Sequence, residues 1–450
     1  MKLLKIDDTI CAISTGGNES AIAVIRVSGD NAIKFTNSIF SKNLINITTH
    51  SIHYGDIIID NELIDEVLIS IFKKNNSFTG EETTEISCHG SIYVQEKIIQ
   101  SLINSGCRLA KPGEFSMRAF KNGKIDLSQA ESIADLISSK SRAEQQVAIQ
   151  QLKGGVSNQL KKLRTQLIDF ASLIELELDF SEEDVEFADR NKLKKLLFKI
   201  DNEVEILIDS FKTGNAIKNG IPVTIIGSPN AGKSTLLNSL LNEEKAIVSE
   251  IAGTTRDIIE DKLIINGLIF RFIDTAGIRK TDSKIENIGI DKAIEKMNKS
   301  DIIIQLIDNT NDVEKQIKKL NKLSKNCTAS KIIAINKIDI NNNSSVDSAI
   351  YISAKKNVGI NTLKQKLIDL SSINKLSNQT TIITNTRHLQ ELKKTRDEIN
   401  LIISALDNNI SSEFIASNIR EALNHLGSIT GEITNDTLLK NIFSKFCIGK

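Results

Sequence analysis

The sequence predicts a multidomain protein that combines an α+β segment, long amphipathic helices and an α/β nucleotide-binding domain. Three observations carry that prediction. The 450-residue length exceeds what a single core supports. The apolar pattern switches near Leu127 from alternating strand-like and helix-like stretches to a sustained helical period. An apolar, β-branched strand then runs into a glycine loop and a helix over Ile221–Thr235, IPVTIIGSPNAGKST. The limits so drawn are 1–120, 121–215, 216–375 and 376–450.

Composition narrows the class. Apolar residues make up 40% and charged residues 25%, as in ordinary soluble globular chains. Lys+Arg and Asp+Glu balance at 57 each, so no global field steers the chain to nucleic acid or anionic lipid, and any RNA contact is local or shared with a partner. Five scattered cysteines without metal-type spacing read as free thiols in a reducing compartment. MKLLKIDDTI lacks a long apolar core, and no run approaches the roughly 18 apolar residues of a membrane span. The expected location is the cytoplasm, away from membranes.

Residues 1–120 alternate in type. AIAVIRVSG (Ala21–Gly29) reads as a strand, with a helix after Asp30. SIHYGDIIID and LIDEVLISIFKK read as a hairpin across Asp60-Asn61, followed by the strand TTEISCHG and an amphipathic helix over Ile92–Ile103. Arg26, Glu85 and Lys124 fall near strand or loop ends, where an isolated charge is ordinarily solvated. Lys111–Asp126 carries Pro112, Gly113 and Gly123 and reads as an irregular loop with a short helix.

From Leu127 the spacing i, i+3, i+4 recurs at Ala130, Ile133, Ala134, Leu136 and Ile137, and again from Leu160 to Leu178, with a break expected at Gly154-Gly155. Ser181-Glu182-Glu183-Asp184 reads as a helix start rather than a metal site. A third helix is expected to reach Phe211, with TGNAIKNG as the connector to the next strand.

The nucleotide-binding domain follows. In G-x-x-x-x-G-K-[ST], Gly227 and Gly232 let backbone N–H groups face a phosphate, flanked by Asn230 and Ala231. Lys233 reaches the β- and γ-phosphates, Ser234 is placed to ligate Mg²⁺, and Thr235 continues the helix. KLIINGLIFRFIDTAG puts Asn266-Gly267 between two apolar runs, so a hairpin ends near Asp274-Thr275-Ala276-Gly277. There Asp274 supplies a carboxylate behind Mg²⁺ and Gly277 an N–H for the γ-phosphate. DIIIQLID, KIIAINKID and AIYISA are expected to be parallel strands, each separated by a helix. In Asn336-Lys337-Ile338-Asp339, the Asp339 carboxylate can accept both guanine N1–H and the 2-amino group, with Ser353-Ala354-Lys355 backing the base, so the expected nucleotide is GTP. Between these motifs lies Ser249-Glu250-Ile251-Ala252-Gly253-Thr254-Thr255, in which Thr255 is the expected switch ligand to Mg²⁺. The residue after Gly277 is Ile278, so the glutamine that orients water in Ras is missing. Arg256 and Arg279 are the arginine-finger candidates in cis. The tail from Lys375 is helical and ends KFCIGK. Cys447 there suits no prenylation pattern.

Taken together, SFTGEETTEISCHG, KPGEFSMRAFKNGKIDLSQAE, GSPNAGKST, IVSEIAGTTRD, DTAGIR, NKID and the terminal CIGK resemble the tRNA modification GTPases of the MnmE (TrmE) family over the whole chain. The resemblance implies an N-terminal tetrahydrofolate-binding domain that dimerises, and an all-α helical domain into which a Ras-like P-loop GTPase domain is inserted. It implies that Arg26, Glu85, Lys124 and Lys450 hold a one-carbon tetrahydrofolate, overturning the solvated reading of the first three. Asn230, Ser249, Ile251 and Thr254 would hold K⁺ in place of an arginine finger, and Glu286 would orient the attacking water. Cys447 would lie near the folate as a candidate catalytic thiol. The implied activity is GTP hydrolysis with Mg²⁺ and K⁺. With an FAD-containing partner in a heterotetramer or larger complex, it adds a carboxymethylaminomethyl-type group to C5 of the wobble uridine of certain tRNAs. The chain departs little from the family pattern, as at Cys88 before His89, where relatives often have glycine. A GTP-controlled ribosome-assembly switch and a folate enzyme regulated by its nucleotide domain are the rivals. An assembly factor would be expected to carry a basic RNA-binding domain after the nucleotide domain, whereas this tail is mixed in charge.

Overall fold

The computed structural model describes residues 8–179, 189–242, 261–273, 294–341, 346–371, 381–408 and 410–449. The chain folds as two compact units. One comprises Met1–Ile137, Gln151–Lys194 and Glu398–Lys450, and the other Ser138–Gln150 and Lys195–Asp397.

The first unit is built on β1 (Ile10–Ile13), β2 (Ser20–Ser28), β3 (Ser51–Ile59), β4 (Glu62–Phe72), β5 (Thr83–Gly90) and β6 (Arg108–Leu109), in the order β3-β4-β5-β2-β1-β6. All pairings are antiparallel except β1 with β6. Between β3 and β4, Asp60 and Asn61 have φ of 51° and 66°, the two left-handed residues that a type I′ turn requires. Strand alternation sends Ile25, Val27, Ile69, Ile71 and Ile86 to one face. There they share a core with Ala32 of α1 (Ala32–Asn37) and with Ile98 and Leu102 of α2 (Ile92–Asn104). Strands β1 and β6 have no counterpart in the sequence reading, because four and two residues are too few to show a period.

Four helices follow: α3 (Glu114–Lys121), α4 (Leu127–Ser138), α5 (Arg142–Leu152) and α6 (Gly155–Asp179). Gly154, at φ 86°, separates the last two, where Gly154-Gly155 predicts a break. The next helix, α7, runs over Arg190–Asn219, so TGNAIKNG is helical rather than a connector. Gly214 inside it is a packing glycine: a Cβ there would lie 2.0 Å from the Ile383 carbonyl oxygen. The acidic stretch Ser181–Asp184 lies outside the described residues.

The second unit contains β7 (Ile221–Gly227), α8 (Lys233–Asn242), β8 (Asp261–Ile265), β9 (Leu268–Phe272), β10 (Ile302–Asp308), α9 (Val313–Leu323), β11 (Ser330–Asn336), β12 (Ile350–Tyr351) and α10 (Ile360–Leu370). Its sheet order is β12-β11-β10-β7-β9-β8, parallel except at the β8–β9 hairpin. Asn266 and Gly267 turn that hairpin at φ 51° and 80°. Every residue of β10 is buried, with Ile304 and Leu306 in one core and Ile303 and Ile307 in the other, as a strand covered on both faces demands. The expected helix between β11 and β12 is not found among the described residues. The described residues there include turns at 338–340 and 347–348, and β12 is only two residues long.

The tail supplies α11 (Thr386–Asp407), α12 (Ser412–Thr430) and α13 (Asp436–Phe443). Within the first unit α6 packs along α12, burying Leu160, Leu163, Leu167 and Ile174 from one and Ile415, Ile419, Leu426 and Ile429 from the other. Each such side chain contributes about 1.5–3 kcal/mol on burial. The flanking Arg420–Glu175 ion pair is about half-exposed and contributes little. Among the described residues no helix is long and apolar enough to cross a membrane.

Candidate functional site

Strand β7 ends at Gly227 beside Leu306 of β10, so the loop that follows emerges at the carboxyl edge of the parallel strands, where open α/β sheets take their ligands. Asn230 sits at φ 64° and Gly232 at φ 95°, which turn the chain into α8. A Cβ on Gly232 would lie 2.4 Å from Asn336 Nδ2, so this position requires glycine on two grounds. Ala231 is buried beneath the loop, and Thr235 is exposed one turn into the helix. Lys233 donates from Nζ to the carbonyls of Gly227 at 3.0 Å and Ser228 at 2.9 Å, which holds its ammonium over the loop. Burial pushes that ammonium below the usual lysine range, so an arriving phosphate meets a poorly solvated cation. Ser234, next along the first turn, offers a hydroxyl oxygen, the hard donor that Mg²⁺ prefers.

The Asn336–Asp339 segment lies at the same edge. Asn336, buried at the end of β11, donates from Nδ2 to Ala231 O at 2.8 Å and accepts at Oδ1 from Ala354 N at 3.0 Å. One amide thereby joins the phosphate loop, the NKID strand and the Ser353-Ala354-Lys355 segment. Asp339 accepts a 2.7 Å bond from Ser353 Oγ. That bond is the main reason its carboxyl lies below the usual aspartate range. Lys337, at φ 69°, reaches back to Asp308 with Nζ 2.6 Å from Oδ2. Burial opposes the charge on Asp308, but hydrogen bonds from Lys337 and Thr310 outweigh it and hold the carboxyl low. Asp308 and its neighbour Gln316 have no place in the sequence reading. The signal available was an apolar strand, DIIIQLID, that ends in an acidic residue, Asp308.

The expected switch residues Ser249, Glu250, Ile251, Ala252, Gly253, Thr254 and Thr255, with Asp274, Thr275, Ala276, Gly277 and Glu286, lie outside the described residues, as does Lys450.

In the first unit, Arg26 and Glu85 face each other in register on β2 and β5, joined by a 2.8 Å ion pair. The Arg26 guanidinium lies 5.7 Å from the Phe78 ring centre and 5.5 Å from that of Phe115. The end of the chain reaches the same corner. Gly449 O accepts from Ser14 Oγ at 3.3 Å and from Arg26 Nη1 at 3.5 Å, and Cys447 O accepts from Gly113 N at 3.3 Å. A Cβ on Gly449, which sits at φ 92°, would lie 2.3 Å from Ile13 O. Cys447 itself is exposed. Lys124 donates from Nζ to Asn75 O at 2.9 Å. Arg118 anchors the loops around this corner. It is 1% exposed and bonds Asp8 at 2.6 Å, Glu81 at 3.1 Å and Glu114 at 3.3 Å. No metal-binding cluster of His, Cys, Asp or Glu occurs among the described residues.

A parallel sheet with a lysine-bearing phosphate loop and an Asn-Lys-x-Asp strap defines a P-loop nucleotide-binding protein of the GTPase class, here accompanied by an α+β unit with a helical pair. Residues 9–124 match the family described as GTP-binding protein TrmE N-terminus, and residues 127–447 the MnmE helical domain. The chain is 51% identical to the tRNA modification GTPase MnmE of Cytophaga hutchinsonii, over 98% of each chain. It is 50% identical to that of Flavobacterium johnsoniae, over 98% of this chain and 99% of the relative, and 47% identical to that of Bacteroides thetaiotaomicron at the same coverage. The chain belongs to the MnmE family of tRNA modification GTPases.

Proposed function

We propose that this protein is a potassium-dependent GTPase that acts with an FAD-containing partner to install a carboxymethylaminomethyl-type group at C5 of uridine 34 in certain tRNAs. The observation that carries the GTP half is the Asn336 amide, which ties phosphate loop and base strap into one nucleotide seat. Lys233 would neutralise the β- and γ-phosphates, and Asp339 would accept both guanine donors. Ser234 and Thr255 would hold Mg²⁺. Asn230, Ser249, Ile251 and Thr254 would hold K⁺, and the two cations supply charge against the phosphate oxygens. Of these donors, Ser234 and Asn230 lie at the loop, and their oxygen chemistry fits hard cations. Glu286 would orient the attacking water.

For the folate half, Arg26 and Glu85 pair at the corner where the chain terminus docks, which supports a one-carbon tetrahydrofolate held there together with Lys124 and Lys450, with Cys447 close by. Homodimerisation is supported by the sheet face opposite the core, where Ile22, Ile52, Tyr54 and Leu68 are 63%, 66%, 55% and 46% exposed. The accompanying domain limits are 1–120, 121–215, 216–375 and 376–450, and the first sheet ends at Leu109 while the strands of the second lie between Ile221 and Tyr351. The cytoplasm is the compartment that such a substrate implies.

Turnover at equal ionic strength in KCl and NaCl tests the cation assignment. Hydrolysis is expected to be fast in KCl and slow in NaCl. Equal rates together with collapse in Arg256→Ala would restore an arginine finger.

A further inference from the structure

At the carboxyl end of β10, the backbone of Asp308 is clasped on both sides by one side chain. Gln316, on the inner face of α9, accepts at Oε1 from Asp308 N at 3.1 Å and donates from Nε2 to Asp308 O at 2.9 Å. Its Oε1 also accepts from Ser228 Oγ in the phosphate loop at 3.2 Å. The Asp308 side chain, 4% exposed, then splits its two oxygens. Oδ1 takes Thr310 N at 3.0 Å and Oγ1 at 2.7 Å, and Oδ2 takes Lys337 Nζ at 2.6 Å. A continuous chain of bonds thus runs from Ser228 through Gln316 and Asp308 to Lys337.

We propose that Gln316 and Asp308 are positioning residues that set nucleotide affinity, by fixing the base-strap lysine relative to the phosphate loop before the nucleotide arrives. Two physical points support this. A lysine side chain carries about 2 kcal/mol of rotamer entropy. Anchoring the Lys337 ammonium on a buried carboxylate removes that freedom in advance, so the methylene stem is already in place to cover a base. The carboxylate has no second cation within bonding reach among the described residues, so its charge is committed to Lys337. A glutamine is required at 316 because the site needs an acceptor and a donor on one planar group.

The inference rests on the reading of the site as a GTP site, and the test separates the two. Dissociation constants for GTP and for inosine triphosphate, which lacks the 2-amino group, are measured for the full chain and for Asp308→Asn, Lys337→Ala and the double variant. Asp308→Asn keeps shape and loses charge. It is expected to weaken both nucleotides about tenfold, raising KM with kcat at saturating GTP nearly unchanged, and to leave the ratio between the nucleotides intact, because Asp339 sets that ratio. The double variant is expected to bind no worse than Lys337→Ala alone. Gln316→Met should speed nucleotide release in the same direction. Additive losses in the double variant, or Asp308→Asn binding like the parent, would overturn the relay. A parent chain with no preference for guanine nucleotides would overturn the base assignment and the relay with it.

Discussion

Asn336 and Ala231 lie 105 residues apart, yet the side-chain amide of one meets the carbonyl of the other at 2.8 Å in a buried setting. The phosphate loop is therefore not a free turn. Its position is tied to the sheet edge at the end of β11, the strand that leads into Asp339. A second bond from Ala354 N to the same amide extends that edge to the next loop.

Asp339→Asn should convert one acceptor oxygen into a donor that faces the guanine 2-amino group. GTP affinity is expected to fall roughly 100-fold or more, and xanthosine nucleotides should become the preferred ligands. Parallel titration of both nucleotides checks this, and an unchanged preference for GTP would remove Asp339 from the base site.

Glu286→Ala should leave GTP binding within about twofold, while hydrolysis falls by about 100-fold or more, as expected when a group that aligns water is lost. Single-turnover hydrolysis measured beside equilibrium binding separates the two effects. As an ordinary charged residue, Glu286 would cost little on substitution.

Cys447→Ser should hydrolyse GTP near the normal rate but modify tRNA poorly. The motivation is the docking of the Cys447–Gly449 backbone against Gly113, Ser14 and Arg26 in the first unit, outside the nucleotide-binding unit. Equal loss of both activities would indicate a folding role, and full modification would show the thiol to be dispensable.

Arg118→Met should destabilise the first unit by about 3–5 kcal/mol, because Glu114 and Glu81 would lose a buried partner. The sign of the pH effect follows from the carboxyls. Burial opposes the charge on Asp8 and on Glu114, yet bonds from Arg108 and Arg118 outweigh it, so both lie below their ordinary values. Their stabilising contribution is complete above the unfolded pKa values of about 3.9 and 4.3 and is lost as pH falls through the folded ones. Thermal melts between neutral pH and about pH 3 should show a steep acid loss in the parent and a shallower one in the variant.

Features encoded within a few residues were legible in the sequence: the phosphate loop, the break at Gly154-Gly155, and the hairpins at Asp60-Asn61 and Asn266-Gly267, whose turn residues carry their own backbone preference. Contacts made across the chain were not. Arg26 reads alone as a solvated charge, and only the strand register and the returning terminus bring Glu85 and Gly449 to it. Asp308 and Gln316 are ordinary polar residues until the parallel sheet sets one beside the phosphate loop and the helix sets the other over it. Helix α7 outruns its expected end because a glycine that weakens helix propensity is retained there for close packing against Ile383.

The most direct test of the proposed function is mass spectrometry of wobble uridines from a strain lacking this gene, complemented with the parent chain or with Lys233→Ala. The C5-substituted nucleoside is expected to disappear on deletion, return with the parent chain and stay absent with the variant. Persistence of the modified uridine in the deletion strain would contradict the proposed function.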